Sequence, residues 1–391
     1  MIQFLLAAPN SGSGKTTLAC ALLAALKNRG YAPCAFKCGP DYIDPMFHRA
    51  VLGVESHNLD LFFSSPETAR GLYASGAAGH GAAVCEGAMG FYDGLSGTST
   101  TASAWQVADT LNLPVLLVVR PKGASLTLAA QIKGLQSFRT PSHLAGILLN
   151  DCKPGLYKML APMLEAETGL PVAGFLPPVP EAAIGSRHLG LYTAGEVADL
   201  QQKIALLAQA AEENIHWEKL LSLCEQPAPA AARIKQEHKK QCVKIAVARD
   251  EAFCFAYAET LEALTAAGAE LVPFSPVRDP GLPEGISGLY LPGGYPELHA
   301  QALSENILMR QSIRGAVAAG LPTVAECGGF LYLGQTLEDA EGGSWPMAGV
   351  LPGQGVKVGR LVRFGYATLT ARADSLLFRA GEQFPVHEFH H

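Results

Sequence analysis

A glycine-rich loop near the start of the chain constrains the fold more than any other segment. The loop Ala8–Thr17 contains the triplet Gly14-Lys15-Thr16 and directly follows the apolar run Ile2–Ala7. Backbone N–H groups of such a loop bind phosphate at the N-terminus of a helix, so the loop predicts a strand, a turn and a helix in that order. A unit of this kind belongs to a parallel sheet that is covered by helices.

Short β-rich runs and helical stretches alternate through the first half of the chain. Val115–Val119 has no polar residue, as expected for a strand buried on both faces of a parallel sheet. The other predicted strands are Ile2–Ala7, Pro33–Lys37, Ala82–Glu86, Ala145–Asn150 and Pro171–Phe175, and the predicted helices include Thr16–Arg29, Ser103–Leu111, Leu126–Gln136 and Gly155–Thr168. The pattern predicts the α/β class, with a doubly wound parallel sheet.

A second α/β pattern begins with the strand predicted at Val243–Ala248. It follows a stretch rich in proline and alanine at 226–232 and a charged stretch at 235–240, which together are typical of a solvated linker. The predicted domains are a P-loop domain at 1–200, a helical and linker segment at 201–242, and a second α/β domain at 243–391. The helices and strands predicted in this second α/β domain are Ala256–Ala267, Glu270–Phe274, Gly288–Leu291, Ile307–Ala319 and Pro322–Ala325.

The composition argues against several classes of partner. The chain has 391 residues and a net charge of -6, so nucleic acid is not an expected ligand. No apolar run reaches the roughly 18 residues that a membrane span needs, and the segment before the phosphate loop does not resemble a signal peptide. The nine cysteines are odd in number and lie mostly in apolar segments, which predicts reduced thiols in a cytoplasmic protein.

The phosphate loop is a variant, one residue longer than G-x-x-x-x-G-K-[ST], with Ala8 at the usual glycine position and Pro9 after it. Its chemistry is retained, because the Lys15 ammonium neutralises phosphate oxygens and the Thr16 hydroxyl reaches Mg²⁺. The residues expected to bind ATP are Gly12, Ser13, Gly14, Lys15, Thr16 and Thr17.

Three acidic residues follow predicted strands of the first half. Glu86 ends one strand, and Asp41 and Asp44 come just after another. Because ligands of open parallel sheets bind at the carboxyl ends of the strands, these carboxylates are expected to face the phosphate loop. The sequence therefore predicts a Mg²⁺ site formed by Thr16, Asp41 and Glu86.

A cysteine between two predicted elements of the second half has the setting of a nucleophile. Cys327 follows a strand and precedes a helix, and Gly328 and Gly329 permit the close backbone approach of a nucleophile elbow. The helix N-terminus is expected to lower the pKa of the thiol. Backbone N–H groups of Gly328 and of Gly294, in another glycine turn, are the predicted oxyanion donors.

Seven short motifs occur in order along the chain, and together they resemble those of the cobyrinate a,c-diamide synthase family over essentially its whole length. The motifs are Phe36–Asp44, Glu86–Gly94, Arg187–Leu191, Pro292–Glu297, Ala325–Gly329, Arg363–Tyr366 and His387–His390. The N-terminal half is similar to dethiobiotin synthetase. The C-terminal half looks like a class I glutamine amidotransferase of the type without the usual His-x-Glu pair.

The resemblance implies a ligase that converts the a and c carboxylates of a cobyrinate-type tetrapyrrole to amides in cobalamin biosynthesis. ATP activates each carboxylate as an acyl phosphate with Mg²⁺ present, and Cys327 releases ammonia from L-glutamine through a thioester. A homodimer is left open. The residues implied to meet the tetrapyrrole are Lys37, Asp41, Asp44, Tyr92, Arg187 and His188.

The sequence departs from the family at its C-terminal end. Val386 replaces the usual glycine before the last motif, and His391 replaces the usual tyrosine after it. The family's catalytic histidine lies in a later segment resembling S-Y-x-H-x-H, so that histidine is expected beyond His391 and the second domain is expected to be incomplete. His387 and His390 belong to the earlier motif and are not assigned this role.

Other functions remain open at this point. A regulatory switch resembling the partitioning ATPases would carry its signature lysine at position 10, where this chain has Asn10. A cobyric acid synthase is usually longer and has a different motif set. A nickel-sirohydrochlorin a,c-diamide synthase would share nearly every motif, and hydrogenobyrinate is an alternative acceptor. A non-catalytic P-loop binding protein would keep the pocket without turnover.

Overall fold

The structure of the protein is a computed structural model that describes residues 1–183, 194–230, 242–359 and 362–390. Contacts divide these residues into two compact units, one that ends at residue 230 and one that begins at residue 242. The predicted linker residues 231–241 lie outside the described part of the chain. Within the described ranges, no helix combines the length and the apolar character that crossing a membrane requires.

Seven parallel strands form the sheet of the first unit, in the order β3-β2-β4-β1-β5-β6-β7. Every residue of β1, β2, β4, β5 and β7 is buried, because helices cover both faces of the sheet. The strands are β1 Ile2–Ala7, β2 Pro33–Cys38, β3 Ser56–Leu59, β4 Ala82–Glu86, β5 Val115–Val119, β6 Leu144–Asn150 and β7 Val172–Leu176. This sheet confirms the predicted α/β class.

Eight helices accompany the first sheet. Ser65 and Ser103 cap α3 and α4 by accepting hydrogen bonds from backbone N–H groups three residues later, which fixes where these helices begin. The helices are α1 Lys15–Asn28, α2 Ile43–Phe47, α3 Pro66–Gly76, α4 Ala104–Leu111, α5 Leu126–Phe138, α6 Pro154–Thr168, α7 Ala194–Asn214 and α8 Trp217–Cys224. Both α7 and α8 belong to the first unit, and α7 runs across residue 200, where the sequence predicts a domain limit.

One strand of this sheet was not predicted. Strand β3 lies at the edge of the sheet, beside β2, and its sequence is Ser-His-Asn-Leu. Only its first and last residues are buried, since an edge strand has one neighbour and partial cover. Its polar composition therefore conceals it from a search for apolar runs.

The second unit has a smaller parallel sheet, in the order β11-β10-β8-β9, packed around its own hydrophobic core. Two antiparallel strands, β15 and β16, form a separate hairpin. The helices are α9 Ala258–Ala266, α10 Ala300–Glu305, α11 Ile307–Ala318 and α12 Gly328–Leu333. The strands are β8 Val243–Ala248, β9 Ala269–Phe274, β10 Gly288–Leu291, β11 Thr323–Ala325, β12 Thr336–Glu338, β13 Ser344–Pro346, β14 Gln354–Gly355, β15 Arg363–Thr370 and β16 Gln383–His390.

A close backbone approach joins the last strand of the first sheet to the turn between α7 and α8. Gly174 in β7 has a φ of 129°, and a Cβ atom there would lie 2.5 Å from the carbonyl oxygen of Asn214. Gly174→Ala is therefore expected to destabilise the first unit by about 2 kcal/mol or more, through overpacking and backbone strain. Urea unfolding followed by circular dichroism measures the change.

Gly155→Ala is the matched control for this prediction. Gly155 lies in α6, and nothing is within 4 Å of the position that its Cβ would take. Alanine is the better helix former, so this variant should be neutral or more stable by about 0.5–1 kcal/mol. Equal stability of the two variants would contradict the packing argument.

Candidate functional site

The phosphate loop joins β1 to α1, and two of its glycines adopt left-handed backbone conformations. Gly12 has a φ of 78° and Gly14 a φ of 86°. A Cβ atom at Gly14 would overlap the side-chain amide of Asn150, at the end of β6. The buried Asn150 side chain donates a hydrogen bond of 3.0 Å from Nδ2 to the carbonyl oxygen of Ser13. Asn150 thus holds the phosphate loop in place through the Ser13 carbonyl, a role that the sequence did not predict.

The side chains of Lys15 and Thr16 both have protein partners. Lys15 Nζ donates a hydrogen bond to the carbonyl oxygen of Met89, and Thr16 Oγ1 donates to Glu86 Oε1 over 2.6 Å. Burial lowers the pKa of Lys15, and the neighbouring ammonium of Lys37 lowers it further. These contacts bring the phosphate loop and the carboxyl end of β4 together, as predicted. Thr17 lies beside them in the first turn of α1.

A buried lysine links the three predicted acids. Lys37 Nζ lies 2.8 Å from Glu86 Oε1, 2.7 Å from Asp44 Oδ2 and 3.9 Å from Asp41 Oδ2. Burial by itself lowers the pKa of Lys37, but the surrounding carboxylates outweigh it and raise the pKa well above its ordinary value. Burial raises the pKa of Glu86, and burial together with Asp44 raises that of Asp41.

The acid cluster retains capacity for a cation. Glu86 is almost fully buried, and its Oε2 atom has no hydrogen-bond partner among the described residues. Three carboxylates surround one ammonium group, so ionised carboxylates leave an excess of negative charge. No ready-made group of three or more His, Cys, Asp or Glu ligands occurs within the described ranges. Mg²⁺ is commonly held by few protein ligands together with substrate phosphates, which fits this arrangement.

The residues predicted to contact the tetrapyrrole do not all lie in one place. Lys37, Asp41 and Asp44 lie together, whereas Tyr92 points to α5 and donates a hydrogen bond of 2.6 Å to the carbonyl oxygen of Leu135. The Tyr92 ring also packs against Trp105 and Phe138. Arg187 and His188 lie outside the described residues.

Cys327 forms a strained elbow between β11 and α12. Its φ is 46° and its ψ is -112°, a conformation that non-glycine residues rarely adopt. The glycines after it are required by close packing. A Cβ atom at Gly328 would lie 2.8 Å from Cδ of Pro296, and one at Gly329 would overlap the carbonyl oxygen of Leu291. This is the predicted geometry of a nucleophile on a sharp strand-to-helix turn.

The two glycine turns converge on the thiol. Backbone groups of Gly328 and Gly294 both act to lower the pKa of the Cys327 thiol. The two turns are themselves close, since a Cβ atom at Gly328 would lie 3.1 Å from the backbone nitrogen of Gly294. A Cβ atom at Gly293 would lie 3.3 Å from Cβ of Cys327, which shows how closely the second turn approaches. The structure therefore brings together the residues predicted as nucleophile and oxyanion donors.

The net shift of the Cys327 pKa is nevertheless upward, so the expected lowering was wrong. Although the residue as a whole is exposed, protein atoms crowd the sulfur, and this desolvation raises the pKa of the thiol. The carboxylates of Glu297 and Glu326 raise it further. Their combined effect exceeds that of the backbone groups of Gly328 and Gly294.

The remaining thiols and the late histidines have other surroundings. Burial raises the pKa of Cys34, Cys38 and Cys224 to about 12, so these thiols are poor nucleophiles. His387 lies in the β15–β16 hairpin, with its ring 5.4 Å from that of Tyr366. The side chain of His390 lies outside the described part of the structure.

Two family models match the chain, one for each unit. Residues 4–190 match the CobQ/CobB/MinD/ParA nucleotide binding domain, and residues 244–391 match the CobB/CobQ-like glutamine amidotransferase domain. Each matched range contains one of the two sites described above.

Curated relatives extend this similarity over the whole chain. A cobyrinate a,c-diamide synthase of Caldanaerobacter subterraneus subsp. tengcongensis is 40% identical over 99% of this chain and 86% of its own length. The chain belongs to the cobyrinate a,c-diamide synthase family. Members from Gloeobacter violaceus and Priestia megaterium are 42% and 37% identical over 100% of this chain, and over 86% and 85% of their own lengths. The resemblance proposed from the motifs is confirmed.

Tyr92→Phe separates a structural role from a substrate role. Loss of the hydrogen bond to Leu135 should destabilise the first unit by about 1 kcal/mol, because a partly buried carbonyl loses a donor. The KM for the tetrapyrrole should not change. Thermal unfolding and steady-state kinetics test both points. An increased KM at unchanged stability would assign Tyr92 to the substrate.

The raised pKa of Cys327 predicts a steep pH dependence of its alkylation. Only the thiolate reacts, so the rate of modification by iodoacetamide should still increase above pH 9, the ordinary value for cysteine. Peptide mass mapping at each pH isolates the reaction of Cys327, with the exposed Cys242 as the internal control. A midpoint below that of Cys242 would contradict the dominance of desolvation.

Proposed function

We propose that this protein amidates the a and c carboxylates of a cobyrinate-type tetrapyrrole, with ATP as the activating substrate and L-glutamine as the nitrogen donor. The single observation that carries the proposal is the presence of two different constellations of side chains and backbone groups on one chain. One joins a phosphate loop to buried acids, and the other joins a strained cysteine to two backbone donors. The names of the relatives support the choice of cobyrinate as the acceptor.

In the first unit, the phosphate loop binds the triphosphate of ATP at the N-terminus of α1. The backbone N–H groups of residues 12–16 face phosphate oxygens, and the Lys15 ammonium exchanges the Met89 carbonyl for phosphate. Attack of a substrate carboxylate oxygen on the γ-phosphorus forms an acyl phosphate and releases ADP. Lys37 holds Asp44 and Glu86 together beside the phosphate loop through its two short ion pairs.

Mg²⁺ fits the same unit through oxygen ligands. Thr16 Oγ1 and the unpartnered Oε2 of Glu86 are the proposed first ligands, with Asp41 as a third. The bound ion supplies charge neutralisation between phosphate groups. The Lys37 ammonium already neutralises part of the negative charge of Asp41 and Glu86. Cation binding and the ion pairs of Lys37 are therefore electrostatically coupled.

In the second unit, the Cys327 thiolate attacks the side-chain amide carbon of glutamine. The developing oxyanion accepts hydrogen bonds from the N–H groups of Gly294 and Gly328, which already converge on the sulfur. Collapse of the intermediate breaks the C–N bond as nitrogen takes up a proton from solvent, which releases ammonia and leaves a glutamyl thioester. Water hydrolyses the thioester to glutamate and the free thiol.

Ammonia is the product that connects the two reactions. Its lone pair attacks the carbonyl carbon of the acyl phosphate, the C–O bond to phosphate breaks, and the amide forms with loss of a proton. Each amide therefore consumes one ATP and one glutamine. Cytoplasmic location and a homodimer stay predictions from the sequence.

Ammonium salts provide the direct test of this division of labour. With ATP, cobyrinate and ammonium, Cys327→Ala should form the diamide at a rate close to that of the unmodified chain, because the thiol is used only on glutamine. Lys15→Ala should lose roughly 10²-fold or more, because charge stabilisation at phosphate is removed. Mass spectrometry of the tetrapyrrole product measures both rates.

Two outcomes would contradict the proposal. Retention of ammonium-supported amidation by Lys15→Ala would remove the phosphate loop from the synthetase reaction. An equal loss in Cys327→Ala would show that the cysteine serves the synthetase step itself. Calorimetric titration with ATP distinguishes failure to bind nucleotide from failure to transfer phosphate.

A further inference from the structure

A buried aspartate lies just beyond the end of β8 and was not predicted as a site residue. Asp250 is fully buried, and both of its carboxylate oxygens accept hydrogen bonds. Oδ1 accepts from the backbone N–H groups of Ala252, at 3.0 Å, and Phe253, at 3.1 Å. Oδ2 accepts from the Ser275 hydroxyl, at 2.8 Å, and from the N–H of Val277, at 3.0 Å. The carboxylate therefore fixes the turn at 252–255 to the end of β9.

The turn at 252–255 packs directly on the glycine turn that approaches the thiol. The carbonyl oxygen of Ala252 accepts a hydrogen bond of 3.0 Å from the N–H of Tyr295, and the N–H of Phe255 donates to the carbonyl of Gly293 over 3.0 Å. Gly294 lies so close that a Cβ atom there would overlap the Ala252 carbonyl. The orientation of the Gly294 peptide is thus set from the Asp250 side.

The same turn also contacts the helix that follows the nucleophile. The ring of Phe253, whose N–H is held by Asp250, lies 5.4 Å from the ring of Tyr332. Tyr332 is fully buried in α12, and Gly328 is the first residue of that helix. One carboxylate therefore holds the element that supports both oxyanion donors, Gly294 from one side and Gly328 from the other.

We propose that Asp250 is a positioning residue of the glutamine-cleaving site, which fixes the two backbone donors through the turn at 252–255. The inference rests on the proposed function of Cys327. Asp250 acts through the turn and does not react with the substrate. Because oxyanion donors act only at hydrogen-bond distance from the developing charge, a small displacement of the turn is enough to reduce the rate.

Three variants remove different numbers of the hydrogen bonds that the Asp250 carboxylate accepts. Asp250→Ala removes every acceptor. Asp250→Asn keeps one oxygen for the loop amides but turns an NH₂ group towards the N–H of Val277 or of the loop. Ser275→Ala is the matched control, since it removes one hydrogen bond from the same carboxylate and leaves the contacts of Oδ1 intact.

Two electrophiles separate donor geometry from thiol reactivity. A chloroketone analogue of glutamine passes through an oxyanion that the two N–H groups stabilise, whereas iodoacetamide reacts by direct displacement without one. Rates of modification of Cys327 in the full chain, followed by peptide mass mapping from pH 6 to pH 11, give a limiting rate constant and an apparent pKa for each reagent.

In Asp250→Ala the limiting rate with the chloroketone should decrease roughly 10²-fold, and in Asp250→Asn roughly 10-fold, while that of iodoacetamide stays within about twofold. The apparent pKa of Cys327 should increase in both variants, because displaced N–H groups no longer favour the thiolate. Ser275→Ala should match the unmodified chain in both respects. Ammonium-supported amidation should be unchanged in all three variants.

Each alternative outcome overturns a different statement. If Asp250→Ala does not fold and Asp250→Asn reacts like the unmodified chain, the role of Asp250 is confined to folding and the inference is wrong. Equal losses with both electrophiles also contradict it. If the unmodified chain shows no preference for the glutamine analogue over a chloroketone without the amino-acid group, the proposed function fails instead.

Discussion

The buried ion pair between Lys37 and Glu86 is the interaction on which the first unit depends. Neither group could be buried alone, since an unpaired buried charge costs several kcal/mol. Their separation of 2.8 Å, together with the hydrogen bond from Thr16 to the same carboxylate oxygen, joins β2, β4 and α1 at the carboxyl ends of the strands. Replacing Lys37 would leave Glu86 with only the Thr16 hydroxyl as a partner, whereas replacing Glu86 would leave Lys37 paired with Asp44. The pair therefore links the reaction geometry to the local packing.

The second unit achieves its geometry without a comparable charge pair at the nucleophile. Its constraint is steric, because the glycines next to the thiol leave no room for a side chain. Backbone groups, which have few degrees of freedom, then take the positions of catalytic donors. The buried carboxylate of Asp250 contributes indirectly, because it fixes the turn at 252–255 that packs against the backbone donors.

Patterns that are local in sequence predicted most of the fold and the central residues of both sites. The loop before Lys15 and the elbow at Cys327 need particular residues at fixed spacings, so they are visible in one dimension. Residues that support these sites from elsewhere were missed. Asn150 contacts Ser13, which lies 137 residues away in the sequence, and Asp250 acts through the turn that it holds. The sequence around each residue does not indicate which group it contacts.

The differences between expectation and structure have separate physical causes. The expected direction of the Cys327 pKa shift was wrong because desolvation of the sulfur and the carboxylates of Glu297 and Glu326 outweigh the backbone groups of Gly328 and Gly294. The substrate role implied for Tyr92 stays a prediction, and its hydroxyl donates a hydrogen bond to the Leu135 carbonyl in α5. The edge strand β3 was missed because half-covered strands contain polar residues.

The hydrogen bond from Lys15 to the Met89 carbonyl has a consequence for nucleotide affinity. The Lys15 ammonium and the Thr16 hydroxyl have protein partners, so contacts of these groups with a nucleotide would replace hydrogen bonds instead of adding them. The net gain is the difference between the new contacts and those given up, which makes affinity modest relative to the number of contacts. Met89 itself has a φ of 51°, so its peptide is not in a relaxed conformation. The affinity for nucleotide therefore depends on the protein contacts of Lys15 and Thr16 as well as on those of the phosphates.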